Sequence, residues 1–127
     1  MSDLSPAKRG HLISQKAADL GFDWDCAADV LDKLAEEIDE IRNAMVENDA
    51  AHVREEVGDL FFALVNFNRK MHIDSDSAFE AGVAKFERRF QALENIVSQS
   101  GRQITELSMQ ELEEVWQRVK KEEHHAH

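Results

Sequence analysis

The fold is decided by two acidic stretches, Glu36-Glu37-Ile38-Asp39-Glu40 and Glu55-Glu56-Val57-Gly58-Asp59. Apolar residues around each stretch recur at steps of three or four, a spacing that predicts two amphipathic helices. They are Leu31, Leu34, Ile38, Ile41 and Met45 around the first stretch, and Val53, Val57, Leu60, Phe61, Leu64 and Met71 around the second. We expect the two helices to span about residues 26–46 and 52–72.

Each predicted helix carries two carboxylates three residues apart, which places them on one face. The pairs are Glu37 with Glu40 and Glu56 with Asp59. If the helices pack antiparallel through their apolar stripes, the pairs converge, and four carboxylates at one place require protons or cations. Oxygen ligands of this kind suit Mg²⁺, which also binds substrate phosphates. The alternative is a solvated acidic surface, which the spacing alone does not exclude.

Two small residues near these stretches lead to further expectations. Gly58 lies mid-helix at a cost of roughly 1 kcal/mol relative to alanine. A close backbone approach beside the site would explain this glycine, and so would tight helix packing.

Cys26 is the single cysteine and cannot form an internal disulfide, which fits a reduced compartment. We expect it to be a small packed residue.

Composition limits the class of protein. The 127 residues suffice for one domain, and a hydrophobic content of 43% favours a folded chain. Proline and glycine are scarce and strand-type alternation is rare, so an all-α fold is predicted. A net charge of -11 disfavours binding to nucleic acid or anionic membranes. The chain shows no apolar run of membrane-spanning length and no signal-peptide core, so we expect a cytoplasmic protein.

The segment before the first acidic helix is predicted from its breaks. Residues 1–10 are polar, and we expect a loose arm there. A short helix should follow over residues 11–20 and end at Gly21, in the position that glycine favours after a helix. Asp23 or Asp25 is a candidate N-cap for the first acidic helix.

The last two helices are predicted from candidate capping boxes. The boxes pair Ser77 with Glu80 and Ser108 with Glu111, with Asp74 or Ser75 as other candidates for the first cap. The earlier of these helices should end near residue 100, before Gly101. The later one should end near residue 121, which leaves residues 122–127 as a frayed tail.

The stretch from Leu60 to Phe67 is apolar almost all round. A helix of this kind must be buried on most sides. A two-helix hairpin in so short a chain cannot cover it well, whereas a second copy of the chain can. We therefore predict a homodimer or a higher homo-oligomer.

A basic pair, Lys85 and Arg89, lies four residues apart, beside Phe86 and Phe90. The two phenylalanines form a stripe that should face the core. The basic pair is either surface charge or a phosphate site, because the arginine fork matches phosphate oxygens.

The sequence is consistent with two roles for each of two further side chains. Lys33, one turn before Glu37, either reaches a phosphate or pairs with Glu37. Trp116 is either a core residue or a face on which a nucleobase stacks.

The sequence resembles the MazG family of nucleoside triphosphate pyrophosphohydrolases. The family pattern, Glu-Glu-x-x-Glu and then Glu-x-x-Asp after a spacer, stands here at residues 36–40 and 56–59. Further blocks look like the second, catalytic copy of the domain in bacterial MazG proteins. They are Gly-Phe-Asp-Trp from Gly21, Gly-Asp-Leu-Phe-Phe-Ala-Leu-Val-Asn from Gly58, Lys-Phe-Glu-Arg-Arg-Phe from Lys85 and Glu-Glu-Val-Trp from Glu113. We predict a MazG-like domain over residues 21–121, with residues 1–20 as arm and short helix.

The resemblance implies an all-α helical bundle completed by dimerisation. It also implies Mg²⁺-dependent hydrolysis of a nucleoside triphosphate to the monophosphate and pyrophosphate, with Mn²⁺ as a possible substitute. Bacterial MazG proteins often carry two such domains in tandem. This chain is therefore expected to be either a single-domain member or a fragment of a longer protein.

Carried over by position, the family assigns roles to individual side chains. The implied metal ligands are Glu37, Glu40, Glu56 and Asp59. The implied substrate-binding residues are Lys33, His52, Arg54, Lys85, Arg89 and Trp116. Independently of the family, Glu36 or Glu55, as a carboxylate that does not bind the metal, is a candidate for orienting the attacking water.

Other activities fit the same sequence. One is a pyrophosphatase for a single modified or deoxy nucleotide, of the dCTP or dUTP type. Another is phosphoribosyl-ATP pyrophosphohydrolase, which shares the helical architecture. A third is a non-catalytic module for nucleotide binding or oligomerisation.

Overall fold

A computed structural model describes residues 3–125 of the chain. The α-helices in this range are α1 (Pro6–Asp19), α2 (Ala27–Val46), α3 (Ala50–Lys70), α4 (Ser75–Gln99) and α5 (Met109–His125), with a short 3₁₀ helix at Ile104–Glu106. The described range contains no strand, which confirms the all-α class. No helix within this range combines the length and the apolar character that a membrane span requires. Residues 1–2 of the predicted arm and 126–127 of the predicted tail lie outside the described residues.

Helix α1 begins earlier than predicted. Pro6 lies in its first turn, where the missing N–H of proline is not needed, so the prediction of a loose arm is wrong for residues 6–10. The hydroxyl of Ser5 caps the helix by accepting a hydrogen bond from the backbone N–H of Lys8 at 3.0 Å. Gly21 follows the helix with a φ of 95°, as the sequence predicts.

The residue before α2 is Cys26, and neither Asp23 nor Asp25 caps the helix. The Cys26 side chain is exposed, so the expectation of a packed cysteine is wrong. Asp23 instead accepts hydrogen bonds from buried Arg69, one of them from Nη1 at 3.2 Å. Arg69 Nε also donates to Ser14 Oγ at 3.0 Å. This network ties α1 and the segment before α2 to α3.

Helices α2 and α3 form a hairpin joined by residues 47–49. The buried residues of α2 are Val30, Glu37 and Ala44, which are seven residues apart and therefore lie on one face. They pack against a face of α3 that includes Glu56 and Ala63. The hairpin thus closes over small side chains and carboxylates.

Many large apolar side chains of the hairpin point outward. They are Leu31, Ile38, Met45, Val57, Phe61, Leu64 and Met71, each at least 36% exposed. The prediction that the helices pack through their apolar stripes is therefore wrong for these residues. Within the stretch from Leu60 to Phe67, Ala63 and Val65 are buried while Phe61 and Leu64 are exposed, so the single chain covers this stretch only in part.

Gly58 lies in open space within the described chain. A Cβ atom added there would have no neighbouring atom within 4 Å. Neither a close backbone approach nor tight helix packing within the chain accounts for this glycine, so both explanations derived from the sequence are wrong for the single chain.

The chain divides into two compact units, Met1–Ala78 and Phe79–His127. Near the end of the first unit, Asp74 Oδ1 accepts a hydrogen bond from the backbone N–H of Ser77 at 2.8 Å, so Asp74 caps α4. Gly101 follows α4 with a φ of 81°, as predicted. In the second unit, Leu93 and Val97 of α4 pack against Val119 of α5.

The second unit confirms one prediction and corrects two. The capping box is present, since the backbone N–H of Ser108 donates to Glu111 Oε1 at 2.9 Å and that of Glu111 donates to Ser108 Oγ at 3.1 Å. Phe86 and Phe90 are 58% and 38% exposed, so the prediction that they face the core is wrong. Helix α5 continues to His125, so the frayed tail is wrong for residues 122–125. No glycine or proline interrupts that segment.

Candidate metal centre

The two acidic stretches meet in the interface between α2 and α3. One carboxylate oxygen from each of Glu37, Glu56 and Asp59 lies within 4.8 Å of the others. Glu37 and Glu56 are buried, whereas Asp59 is exposed. The cluster therefore extends from the inside of the hairpin to the solvent.

Each buried carboxylate is held at one oxygen only. Lys33 Nζ lies 3.0 Å from Glu37 Oε1, and His52 Nε2 lies 3.1 Å from Glu56 Oε1. The second oxygens, Glu37 Oε2 and Glu56 Oε2, are buried and have no hydrogen-bond partner among the described residues. Buried acceptors without partners are costly, so these two oxygens call for a ligand that supplies positive charge or protons.

Crowding of carboxyl groups changes the proton affinity of Glu56. Its pKa rises from 4.5 to about 7, chiefly through a hydrogen bond that it can form with Glu40 when one of the two is protonated, and then through burial and Glu37. His52 opposes part of this rise in the pKa of Glu56. Glu40 is exposed and is not in the group of three, although it is the main cause of the raised pKa of Glu56.

The two nitrogen partners respond to the same negative charge. The hydrogen bond with Glu37 is the main cause of a raised pKa at Lys33. For His52, burial is the largest single influence and lowers the pKa, but the hydrogen bonds and negative charges of Glu56 and Glu47 together outweigh it and raise the pKa. Both side chains therefore favour their charged forms beside the carboxylates.

This donor set fits a hard divalent cation. All the converging atoms are carboxylate oxygens, the ligand type that Mg²⁺ and Mn²⁺ accept. The two orphaned oxygens belong to Glu37 and Glu56, which lie on different helices and each place one carboxylate oxygen within 4.8 Å of the other and of Asp59. The cluster could therefore hold a metal ion, with Glu37, Glu56 and Asp59 as its nearest ligands.

Three predicted site residues on these helices lie outside the carboxylate cluster. Glu36 and Glu55 each come one residue before a cluster member, so their side chains lie about 100° away around the helix. Both are exposed, as is Arg54. The structure does not bring these three side chains into the carboxylate cluster.

The remaining predicted residues lie in the second unit. Lys85 is exposed, and Trp116 is half-buried with its ring centroid 5.3 Å from that of Phe86. Arg89 is engaged by α5, because its Nε and Nη2 atoms lie 3.2 and 3.3 Å from the two carboxylate oxygens of Glu123. The guanidinium fork thus already holds a carboxylate in this structure.

Sequence reasoning missed two acidic side chains beside predicted site residues. The predicted frayed tail includes Glu123, although the unbroken run of helix-forming residues after Val119 is a signal for a longer α5. Glu47 lies in the connection, as predicted, and its Oε2 also lies 3.5 Å from His52 Nδ1. No short-range spacing indicates either contact.

A family model for the MazG nucleotide pyrophosphohydrolase domain matches residues 27–93. The match spans more than half of the chain and includes both acidic stretches. This chain belongs to the MazG family. The resemblance that the motifs indicate is therefore confirmed.

Relatives with assigned names match most of this chain. A nucleoside triphosphate pyrophosphohydrolase of Escherichia coli (strain K12) is 42% identical over 119 residues, which cover 91% of this chain and 44% of that protein. The nucleoside triphosphate pyrophosphohydrolase/pyrophosphatase MazG of Thermotoga maritima is 35% identical over 117 residues, covering 92% of this chain and 44% of that protein. The chain thus spans less than half the length of these two relatives.

The pKa of Glu56 predicts how the metal-free protein responds to pH. In the unfolded chain this carboxyl ionises near 4.5, and in the folded chain near 7, so the folded state binds more protons between these values. Stability should therefore fall as pH rises through this window. The raised pKa of His52 acts in the same direction above its ordinary value of 6.5. Asp23 and Glu111, whose pKa values are lowered to about 2, change stability only at lower pH.

Urea unfolding in EDTA between about pH 5 and 7.5 measures this effect, because stability follows the difference in bound protons. The free energy of unfolding should fall in the wild-type protein and much less in Glu56→Gln. Glu55→Gln, at the exposed neighbouring position, should keep the wild-type slope. Parallel slopes in wild type and Glu56→Gln would show that Glu56 does not cause the pH dependence.

Proposed function

We propose that this chain hydrolyses a nucleoside triphosphate to the monophosphate and pyrophosphate, with a divalent cation, Mg²⁺ or Mn²⁺, at the carboxylate cluster. One observation carries the proposal: Glu37 and Glu56, each with one buried carboxylate oxygen that has no hydrogen-bond partner among the described residues, converge with Asp59. Membership in the MazG family and the names of the relatives from E. coli and T. maritima support the same reaction.

In the proposed reaction, a water oxygen attacks the α-phosphorus, and the bond from this phosphorus to the bridging oxygen breaks. Pyrophosphate leaves with the electron pair. A divalent cation would supply charge neutralisation and Lewis-acid activation of water. Glu37, Glu40, Glu56 and Asp59 would hold that cation. Glu36 or Glu55, which are solvent-exposed, would orient the water and take up its proton.

Basic and aromatic side chains would bind the rest of the substrate. We assign Lys85 and Arg89 to the triphosphate because they form a basic pair in a chain of net charge -11 and because arginine matches phosphate oxygens. Trp116 would contact the nucleotide, and the exposed edge of a half-buried indole suits that role. Arg54, the ammonium group of Lys33 and the imidazole of His52 would lie beside the phosphates.

Removing one ligand of the cluster should remove the activity. Glu37→Gln and Asp59→Asn should reduce pyrophosphate release to background and weaken Mg²⁺ binding, because each loses a negative oxygen ligand. The helix content should stay at the wild-type level by circular dichroism. Asp39→Asn, in the same acidic run but outside the cluster, is the matched control and should remain active. Full activity of either ligand variant in excess EDTA would refute the metal assignment.

Arg89 provides a test of phosphate binding. If it binds the triphosphate, Arg89→Ala should lose about 1.5–3 kcal/mol, which is roughly a tenfold to hundredfold loss of nucleotide affinity. Arg89→Lys should recover part of this, since it keeps the charge without the fork. Arg88→Ala removes the neighbouring charge, which also contacts Glu123, and serves as the control.

Titration calorimetry with Mg²⁺ and a nucleotide distinguishes the two roles of Arg89. Phosphates must displace Glu123 from the fork, so Glu123→Gln should bind nucleotide more tightly than wild type. An Arg89→Ala variant with wild-type affinity would leave Arg89 as a structural ion pair only.

We further propose a homodimer or higher homo-oligomer, in which a second copy covers the outer apolar face of the hairpin. Phe61 is 64% exposed and Leu64 is 45% exposed, a large apolar area for a surface helix. Wild-type protein at micromolar concentration should sediment as a dimer or larger, and Phe61→Asp should dissociate it. Leu20→Asp, at a side chain 80% exposed after α1, should not. A wild-type monomer would refute the proposal.

A further inference from the structure

Lys33 and His52 occupy equivalent positions on the two helices of the hairpin. Each lies four residues before a buried carboxylate, so each stands one turn away on the same face. Lys33 Nζ contacts Glu37 Oε1 at 3.0 Å, and His52 Nε2 contacts Glu56 Oε1 at 3.1 Å. In both pairs Oε1 is engaged, while Oε2 is buried without a partner.

His52 is itself held in place from two sides. Its Nδ1 atom faces Glu47 Oε2 at 3.5 Å. Its backbone N–H donates to the side chain of Asp49, the cap of α3, at 3.1 Å. Contacts at both ring nitrogens fix the orientation of the imidazole, which in turn fixes the oxygen of Glu56 that it contacts.

We propose that Lys33 and His52 are positioning residues that select the rotamers of Glu37 and Glu56 and so direct both Oε2 atoms at the cation. The inference rests on the metal-dependent function proposed above. A glutamate side chain has three rotatable bonds, and fixing it before the cation arrives removes that ordering cost from binding. Outer contacts of this kind orient metal ligands in many metalloproteins.

Electrostatics alone gives the opposite expectation. A positive side chain beside a cation site repels the cation, so its removal should tighten metal binding. Lys33, and His52 when it is protonated, can therefore strengthen metal binding only if the orientation that they provide outweighs their repulsion of the cation. The sign of the change in metal affinity thus separates positioning from simple charge.

A role as phosphate ligands gives a third expectation. If Lys33 and His52 serve only the substrate, their loss should leave metal affinity in the absence of nucleotide unchanged. Nucleotide affinity alone would then decrease. The half-exposed Lys33 side chain, 40% accessible, does not decide between these roles by itself.

Titration calorimetry of Mn²⁺ and Mg²⁺ into nucleotide-free protein tests the inference. Lys33→Met and His52→Leu should each weaken metal binding by about 10- to 100-fold, the usual effect of losing an outer contact. The electron paramagnetic resonance spectrum of bound Mn²⁺ should also change. Tighter binding or unchanged binding in both variants would overturn the proposal, and so would a wild-type protein that binds neither metal.

Conservative variants separate positioning from a loss of folding. Lys33→Arg and His52→Gln keep an N–H donor near Oε1 and should recover most of the metal affinity. If Lys33→Met or His52→Leu does not fold by circular dichroism, the metal affinities of Lys33→Arg and His52→Gln are compared with those of Lys33→Ala and His52→Ala. Equal affinities in the two sets would overturn the proposal. Arg42→Met removes an exposed charge from α2 and should not weaken metal binding.

The same experiment distinguishes this inference from the proposed reaction. If wild type releases pyrophosphate while the variants keep wild-type metal affinity, the positioning role fails and hydrolysis stands. If the variants lose metal affinity as expected but wild type hydrolyses no nucleoside triphosphate in a broad panel, hydrolysis fails and the positioning role stands.

Discussion

Two carboxylates, Glu37 and Glu56, are buried where a helical hairpin ordinarily buries leucine and valine. Burying a carboxylate is unfavourable unless its oxygens are paired, and here only one oxygen of each has a partner. The neighbouring interface residues Val30, Ala44 and Ala63 are small, so the helices can approach closely around the acids. The remaining features of the hairpin follow from this arrangement.

One consequence is the position of the large apolar side chains. Ile38 and Val57 each follow a buried carboxylate by one residue, and Leu64 follows Ala63 in the same way. One residue corresponds to about 100° around a helix, so these side chains turn away from the interface. The arrangement that forms the site therefore also produces an outer apolar face. Site and proposed assembly are thus linked, because a helix cannot place both its acids and its largest apolar residues on the inner face.

The sequence predicts local features better than it predicts which face is buried. Gly21, Gly101 and the Ser108–Glu111 box act within one helix turn, and the structure bears out each of them. Apolar periodicity also locates α2 and α3 to within two residues at each end. Apolar periodicity does not show which residues of a broad apolar stripe face the helix interface. A shift of one residue in this prediction places Ile38 in the interface instead of Glu37.

Long-range contacts account for the rest of what sequence reasoning missed. Asp23 is predicted to cap a helix, but its side chain pairs with Arg69, 46 residues away. Arg89 reads as a free basic residue, but Glu123 of the next helix occupies its fork, 34 residues away. A single sequence contains no spacing rule for such pairs. The convergence of Glu37, Glu56 and Asp59 could be anticipated because each acidic pair lies on one helix and only a short connection separates the helices.

Other buried polar side chains of helix α3 can be compared with the two carboxylate oxygens that lack hydrogen-bond partners. Further along the same helix, buried Arg69 donates hydrogen bonds to Ser14, Asp23 and Asn66, and buried Asn66 donates to the carbonyl of Phe62. This chain therefore satisfies buried polar groups where they serve the fold alone. Among the described residues, the buried side-chain atoms left without a partner are both carboxylate oxygens, and they belong to two members of the same cluster. Local rules of folding tend to be broken at functional sites. The buried polar groups around Arg69 are hydrogen-bonded, whereas one oxygen of Glu37 and one of Glu56 are not. This difference argues that the carboxylate cluster is kept for a ligand rather than for stability.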